Sequence, residues 1–428
     1  PAIGLVGAWF EMTAALTTTG GTVYGSLAAV PDAVHLWRGM VGWAGGLMTL
    51  VAAYAILAPR RLGGFEIEAS TLRGPGREND QVVSLSATTP ALASRLSRAA
   101  RVIVPVYGLL TAGLAIIFNT LGQGGLESAV HAMSILSTSG ISPVQGGLAA
   151  ANSFSAEAVA ALFLLITATP VLWSKASQTG LNVPWQRDPQ LRMLLFLVGI
   201  TTLALFARHW LGALTVDDSE PLSDAFTALW GNIFTTLSFL STTGFESASW
   251  EASRNWSGLS NPGLFLLALA TVGGGAATTA GGVKLIRAFA LMRHGYREIE
   301  RLAQPASIIG VGSDMRGIMR RGAAIAWTFV MLFFMAILFT VLALTATGMK
   351  FDTALIAATA ALTNTGPAMA AVTVDGRTFA DLTSPAQSIL AMAMIAGRME
   401  MLALIALIRL DTWRKDTTQV RNATIKHW

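Results

Sequence analysis

The apolar positions of this chain gather in long runs at 40–57, 102–118, 158–173, 194–206, 263–272, 323–344 and 389–408. A helix needs roughly 20 such residues to cross a hydrocarbon core about 30 Å thick. The runs therefore predict membrane-spanning helices. Those that fall short, or that Gly, Pro or a charge interrupts, are candidates for broken spans. Between the runs lie shorter helix-compatible stretches at 9–16, 127–136, 224–240 and 351–362.

Each short stretch ends in the same phrase, a small polar run followed by glycine. The four copies are Leu16-Thr17-Thr18-Thr19-Gly20, Leu136-Ser137-Thr138-Ser139-Gly140, Leu240-Ser241-Thr242-Thr243-Gly244 and Leu362-Thr363-Asn364-Thr365-Gly366. Leucine stands four positions before the glycine every time. A single Thr-Thr-Gly is an ordinary helix C-cap; four in one frame are a repeat. A helix of about 10–13 residues reaches only about 15–20 Å, half a bilayer. Irregular backbone at that depth is tolerated only inside protein or beside water. The pattern predicts an all-α integral membrane protein of four pseudo-repeated units, each membrane helix, pore loop and membrane helix, around a central pore. Turns there can aim carbonyl oxygens inward to replace an ion's hydration shell. Such hard, neutral oxygens suit an alkali cation.

Composition supports the membrane reading: 53% of residues are hydrophobic and 12% charged, against about 25% charged in a soluble domain. The net charge of +5 reflects topology rather than a nucleic-acid partner. Its basic residues cluster in alternate connections, among them Arg60, Arg61, Arg95, Arg98 and Arg101, then Lys175, Arg187 and Arg192, then Arg287, Arg293, Arg297, Arg301, Arg320 and Arg321, then Arg409, Arg414 and Lys415. By the positive-inside rule these connections are cytoplasmic. No cysteine is present, which excludes disulfides and thiolate metal sites here. The five histidines are scattered, and no phosphate-binding loop or dinucleotide fingerprint occurs. The opening Pro1-Ala2-Ile3-Gly4 lacks a signal-peptide pattern, and the first unit lacks a leading span, so a longer protein is expected.

Three further features carry chemistry. Glycines Gly273, Gly274, Gly275, Gly281 and Gly282 interrupt the run from 264 to 291. At about 1 kcal/mol each relative to alanine, they predict a flexible loop inside the membrane, able to act as a gate; the plainer alternative is a close-packing surface. Arg398 lies within an apolar helix at a cost of about 2.5–3.5 kcal/mol or more. It should face water or an acid, Glu400 being a nearby candidate, as an electrostatic barrier or as half of a structural ion pair. Glu127, Asp224 and Asp352 suit helix N-termini, an account that does not extend to Glu11. His131 is expected to be packed. The tryptophans, among them Trp9, Trp37, Trp43, Trp230 and Trp250, read mostly as interfacial anchors.

Together these motifs resemble the Trk/Ktr/HKT superfamily of potassium transporters, and within it the bacterial TrkH/KtrB-like membrane subunits. The likeness runs over nearly the whole chain. It includes Trp37-Arg38 and Trp43-Ala44-Gly45-Gly46, the stretch from Gly273 to Lys284, and Gly397-Arg398-Met399-Glu400. The resemblance implies potassium uptake across the plasma membrane through a selectivity filter at Thr17, Thr18, Thr19, Gly20, Ser137, Thr138, Ser139, Gly140, Ser241, Thr242, Thr243, Gly244, Thr363, Asn364, Thr365 and Gly366. It implies bound K+ at the filter carbonyls and no other cofactor. It assigns Gly273, Gly274, Gly275, Gly281, Gly282, Lys284 and Arg398 to the gate. It also implies a homodimer in a lipid bilayer and a cytoplasmic nucleotide-binding regulatory partner. Gly21 and Ala276-Ala277 depart from the usual family pattern. Sodium conduction, or Na+/H+ coupling, is the near alternative. An intramembrane enzyme is remote, because no nucleophile has a paired base. The expected division is repeat 1 at 1–60 (incomplete), a cytoplasmic loop at 61–99, repeat 2 at 100–180, repeat 3 at 181–295, a cytoplasmic loop at 296–321, repeat 4 at 322–412 and a cytoplasmic tail at 413–428.

Overall fold

A computed structural model describes residues 3–58, 92–170, 188–213, 222–259, 261–303, 313–373 and 376–399, and its regular elements are all helical. In chain order they are α1 (Leu5–Leu16), α2 (Asp32–Ala52), α3 (Leu92–Thr120), α4 (Gly125–Ser137), α5 (Phe154–Thr167), α6 (Pro189–Ala213), α7 (Leu222–Leu240), α8 (Trp250–Ser257), α9 (Gly263–Val272), α10 (Leu285–Ala303), α11 (Ser313–Ala346), α12 (Phe351–Leu362), α13 (Ala368–Val372) and α14 (Ser384–Arg398). Among the described residues four segments are long and apolar enough to cross a bilayer: Asp32–Leu57, Leu92–Thr120, Pro189–Ala207 and Gly322–Ala346. The first continues α2 through a π turn at Ala53–Leu57. The short helices α1, α4 and α12 have 12, 13 and 12 residues, about half a bilayer each.

Lipid and protein are sorted by side chain. Leu109, Ile116, Leu203 and Phe339 face outward and exposed, while Phe10, Ile103, Phe118, Phe234 and Phe333 are buried between helices. In lipid, association depends on close packing more than on leaving water, so small residues collect where helices touch. Helix α2 illustrates this with a buried stripe of Gly39, Gly42, Gly45 and Gly46. A methyl group on Gly46 would stand 2.9 Å from the Ser137 α-carbon, and one on Gly45 would run into the Leu16 carbonyl. The stripe lets α2 press against the ends of α1 and α4 together.

The contacts follow a circular rule. The longer helix that follows each hydroxyl–glycine phrase packs on the short helix before the next phrase: α2 on α4, α5 on α7, α9 (beyond the brief α8) on α12, and α14 (beyond the brief α13) back on α1. Two apolar cores lie along this circuit. One gathers α1, α9, α11, α12 and α14, and the other joins α2 through α7.

Helix α3 opens at Leu92, α10 runs on to Ala303 and α11 begins at Ser313, so helix enters stretches expected to be connecting loop. Most of the 61–99 loop, the 413–428 tail and Glu400 lie outside the described residues. The tryptophans divide. Trp9 and Trp37 are exposed, as anchors would be, but Trp250 is buried. Trp43 donates to Thr111 Oγ1 (2.9 Å) and Trp230 to Glu157 Oε2 (2.7 Å). These last three pack between helices, where the indole N–H of Trp43 and Trp230 finds a polar partner.

Candidate functional site

The four phrases adopt one backbone geometry. In each, the residue two before the glycine has a left-handed conformation: Thr18 (φ 55°), Thr138 (51°), Thr242 (61°) and Asn364 (54°). The N–H of the next residue reaches back to the fifth carbonyl before it, Thr19 to Ala14, Ser139 to Ser134, Thr243 to Ser238 and Thr365 to Ala360, at 2.8–3.0 Å. The left-handed residue itself bonds three back, Thr18 to Ala15, Thr138 to Ile135, Thr242 to Phe239 and Asn364 to Ala361. This is the Schellman turn that ends many helices, normally built on glycine. Placing β-branched threonine there costs about 1–2 kcal/mol per residue, and strain of this kind concentrates at functional sites.

The flanking hydroxyls hold the turns. Thr17 and Thr19 bond through their side chains at 2.8 Å, Ser137 donates to Ser139 at 3.0 Å, and Ser241 meets Thr243 at 3.0 Å. These oxygens serve the loop itself. The fourth turn departs from this scheme. The Asn364 side-chain amide donates to Thr19 Oγ1 and to the Met394 carbonyl, both at 3.0 Å. Gly20, Gly140 and Gly244 have positive φ values of 72°, 65° and 80°, whereas Gly366 does not.

The glycines meet in a closed ring. A methyl group on Gly20 would strike the Ser139 carbonyl, and one on Gly140 the Thr243 carbonyl. One on Gly244 would lie 3.0 Å from Pro367 Cβ, and one on Gly366 would meet the Thr19 carbonyl and the Gly21 nitrogen. The order is first, second, third, fourth and back to first. The closing joint is a hydrogen bond from the Gly366 N–H to the Thr19 carbonyl, 2.6 Å. All four glycines line a single cavity of about 310 Å³. Glu246 is the acid among its lining residues, alongside Arg38 and Arg254. Glu246 lies in the loop outside the spans, where burial pushes its carboxyl pKa up and Arg254 pulls the other way. With charges of both signs around it, the cavity's lining does not by itself select a cation.

Below the ring the glycine-rich stretch doubles back on itself. The N–H groups of Val283 and Lys284 bond the Thr271 and Val272 carbonyls, each at 2.9 Å. Gly273 (φ 72°), Ala277 (55°), Gly282 (75°) and Lys284 (86°) supply the left-handed bends. Its tip touches three of the four phrases. The Gly281 N–H donates to Thr242 Oγ1 (2.8 Å), the Thr279 hydroxyl to the Leu136 carbonyl (3.4 Å), and a methyl on Gly281 would strike the Thr363 carbonyl. On the other side the Gly275 N–H bonds the Ala168 carbonyl (2.8 Å) and the Ala276 N–H bonds Gln190 Oε1 (2.7 Å). Lys284 Nζ turns onto the Ala280 carbonyl. Arg398 donates to the Thr279 carbonyl (2.5 Å) and, through Nε, to Thr49 Oγ1 (3.0 Å). These two partners are neutral oxygens, one on the loop and one on α2. Arg287, grouped by sequence with the cytoplasmic basic residues, is wholly buried over the Phe329 ring at 3.8 Å.

A second set of residues had no common signal in the sequence. Nine positions before each of the first three glycines, a side chain of the short helix bonds to the loop leaving the turn. Glu11 Oε1 accepts from the Thr22 hydroxyl and the Val23 N–H, both 2.6 Å, while Arg38 Nε stands 2.9 Å from Oε2. His131 bridges Gln123 Oε1 (2.9 Å) and Ser142 Oγ (3.0 Å). Thr235 accepts from the Ser247 N–H at 3.2 Å. There Glu157 of α5 adds bonds from the Ser247 hydroxyl and the Ala248 N–H, both 2.6 Å. The fourth position is Ala357. Glu127 and Asp352 occupy first turns of their helices, as expected.

Comparison with known proteins agrees with this architecture. The family model for TrkH, cation transport protein, matches residues 1–412. The Trk system potassium uptake protein TrkH of Salmonella typhimurium is 30% identical over 421 residues, covering 97% of this chain and 81% of the relative. That of Escherichia coli is 28% identical over the same length and coverage. The crystal structure of the potassium transporter TrkH from Vibrio parahaemolyticus matches with a TM-score of 0.73 at 26% identity, over 96% of this chain and 80% of that one. The chain belongs to the TrkH family of cation transport proteins, and is therefore an integral membrane transporter and not an enzyme.

Proposed function

We propose that this chain takes up potassium ions through the ring of Gly20, Gly140, Gly244 and Gly366, which acts as a selectivity filter. The observation that carries the reading is the closed circuit of four like turns on the floor of one cavity. Carbonyl oxygens crowded into such a ring replace the water that an alkali cation sheds. The short helices point their C-terminal, negative ends at it, which favours a cation. An inside-negative potential supplies about 2.3 kcal/mol per charge for each 100 mV, enough to drive uptake. On this reading the stretch from Gly273 to Lys284, latched by Arg398, closes the path beneath the ring. Family resemblance extends the proposal to a homodimer with a nucleotide-binding regulatory partner.

The test is growth of a potassium-uptake-deficient host on low potassium, with tracer fluxes from proteoliposomes. Uptake of rubidium, a potassium stand-in, should exceed sodium, and Gly140→Ser should lower that ratio, because the new side chain would run into the Thr243 carbonyl and the Pro367 ring. An unchanged ratio in Gly140→Ser counts against the filter, and sodium uptake alone would move the chain to a sodium-conducting function.

A further inference from the structure

Ion discrimination needs a ring that keeps its dimensions, and a ring of loops keeps them only if something holds the loops from outside. Each phrase is fixed on its inner side by the Schellman turn. On its outer side the chain leaves the glycine as irregular backbone, and that is where the nine-before residues act. Glu11 is 1% exposed and His131 1% exposed, and both bond to the residue two past their own glycine, Thr22 and Ser142. Glu157, 2% exposed, comes from a neighbouring helix and bonds Ser247 and Ala248, three and four residues past the third glycine.

We propose that Glu11, His131 and Glu157 are positioning residues that set the filter's ion preference by bracing its outer loops from behind. The proposal rests on the filter reading above. It has an asymmetry built in. The fourth quadrant has Ala357 in this register and instead leans on the first, through the Gly366 N–H to the Thr19 carbonyl. The Glu11 bracket therefore holds two quadrants, and His131 and Glu157 hold one each. Arg38 anchors Glu11 in turn. A carboxylate paired at 2.9 Å with a buried guanidinium is confined to one position, whereas an amide there has a weaker partner.

The experiment compares rubidium and sodium tracer uptake by the full chain in proteoliposomes. Thr22→Val deletes the hydroxyl's bond to Glu11, together with the one it accepts from the Tyr24 N–H, without stranding a charge. It should lower the rubidium-to-sodium ratio by about tenfold, equivalent to roughly 1.4 kcal/mol between the ions. Glu11→Gln should act in the same direction; should breaking the buried pair keep that variant from accumulating, Thr22→Val alone decides the matter. His131→Ala should lower the ratio less than Thr22→Val does, and His131→Gln, which can restore the bond to Ser142, should recover it. That rescue separates positioning from mere packing. Ratios within about twofold of the parent in Thr22→Val and His131→Ala, with rubidium flux intact, overturn the proposal. A parent chain with no monovalent cation flux overturns the filter reading instead.

Discussion

Two kinds of irregular backbone meet at the centre of the described residues, the four glycine turns and the stretch from Gly273 to Lys284, and they are held in different ways. Each glycine turn is fixed mostly by its own residues, through a Schellman pair and, in the first three, a hydroxyl-to-hydroxyl bond two positions apart. The stretch from Gly273 to Lys284 is closed at its base by its own backbone bonds, but it is held in place by single bonds to groups far away in sequence, at Ala168 and Gln190 on one side and at Thr242 and Arg398 on the other. Local, redundant bonds survive the loss of any one partner. Scattered single bonds yield when one neighbour shifts. The difference agrees with the proposed roles, the turns as a fixed frame and the loop as the part that is released.

Substitutions can break this contrast or sharpen it. The largest effect is expected at Gly20→Ala, whose new methyl meets the Ser139 carbonyl in a frame with no slack. Flux should fall roughly 100-fold, about 3 kcal/mol in the barrier. Near-normal tracer flux would mean the frame gives as readily as the loop. Next is Arg398→Ala, which removes a charge-assisted bond to Thr279 worth about 1.5–3 kcal/mol. Flux should rise about tenfold if the latch holds the path shut; unchanged flux at equal expression would leave Arg398 a structural cation. The smallest is Thr138→Gly, which relieves a left-handed threonine and should stabilise the detergent-solubilised protein by about 1 kcal/mol at most. A lower unfolding midpoint would show that the side chain contributes more than its backbone costs.

Much of the frame was legible because it repeats. Four leucine-to-glycine phrases in one register disclose four like turns, and the short stretches before them appear as helices ending within a residue of Leu16, Leu136, Leu240 and Leu362. The broken span was legible because glycine signals it directly. The braces were not, since Glu11, His131, Thr235 and Ala357 share a register and nothing else; only the loops they face make them a set. Nor were the bonds of Arg398 to Thr279 and Thr49, because these residues lie 119 and 349 positions away and a carbonyl or hydroxyl leaves no trace in composition. Trp230 and Trp250 misled for a related reason. An indole at an interface and an indole between helices are the same letter.

Three joints of the glycine ring unite neighbours in sequence, but the fourth joins the last turn to the first. Asn364 grips Thr19 across 345 positions, and Phe10 packs on Phe379 with ring centroids 5.3 Å apart. During synthesis the opening turn must therefore wait, its carbonyl unmatched, until almost everything else has been inserted. Contacts of such long range are the slowest to form, and the exposed seam is where an unfinished molecule is open to the wrong neighbour. Three joints can form in order as the chain is made, but the ring closes only with the fourth, so a chain stopped before α12 would lack the turn that completes the proposed filter.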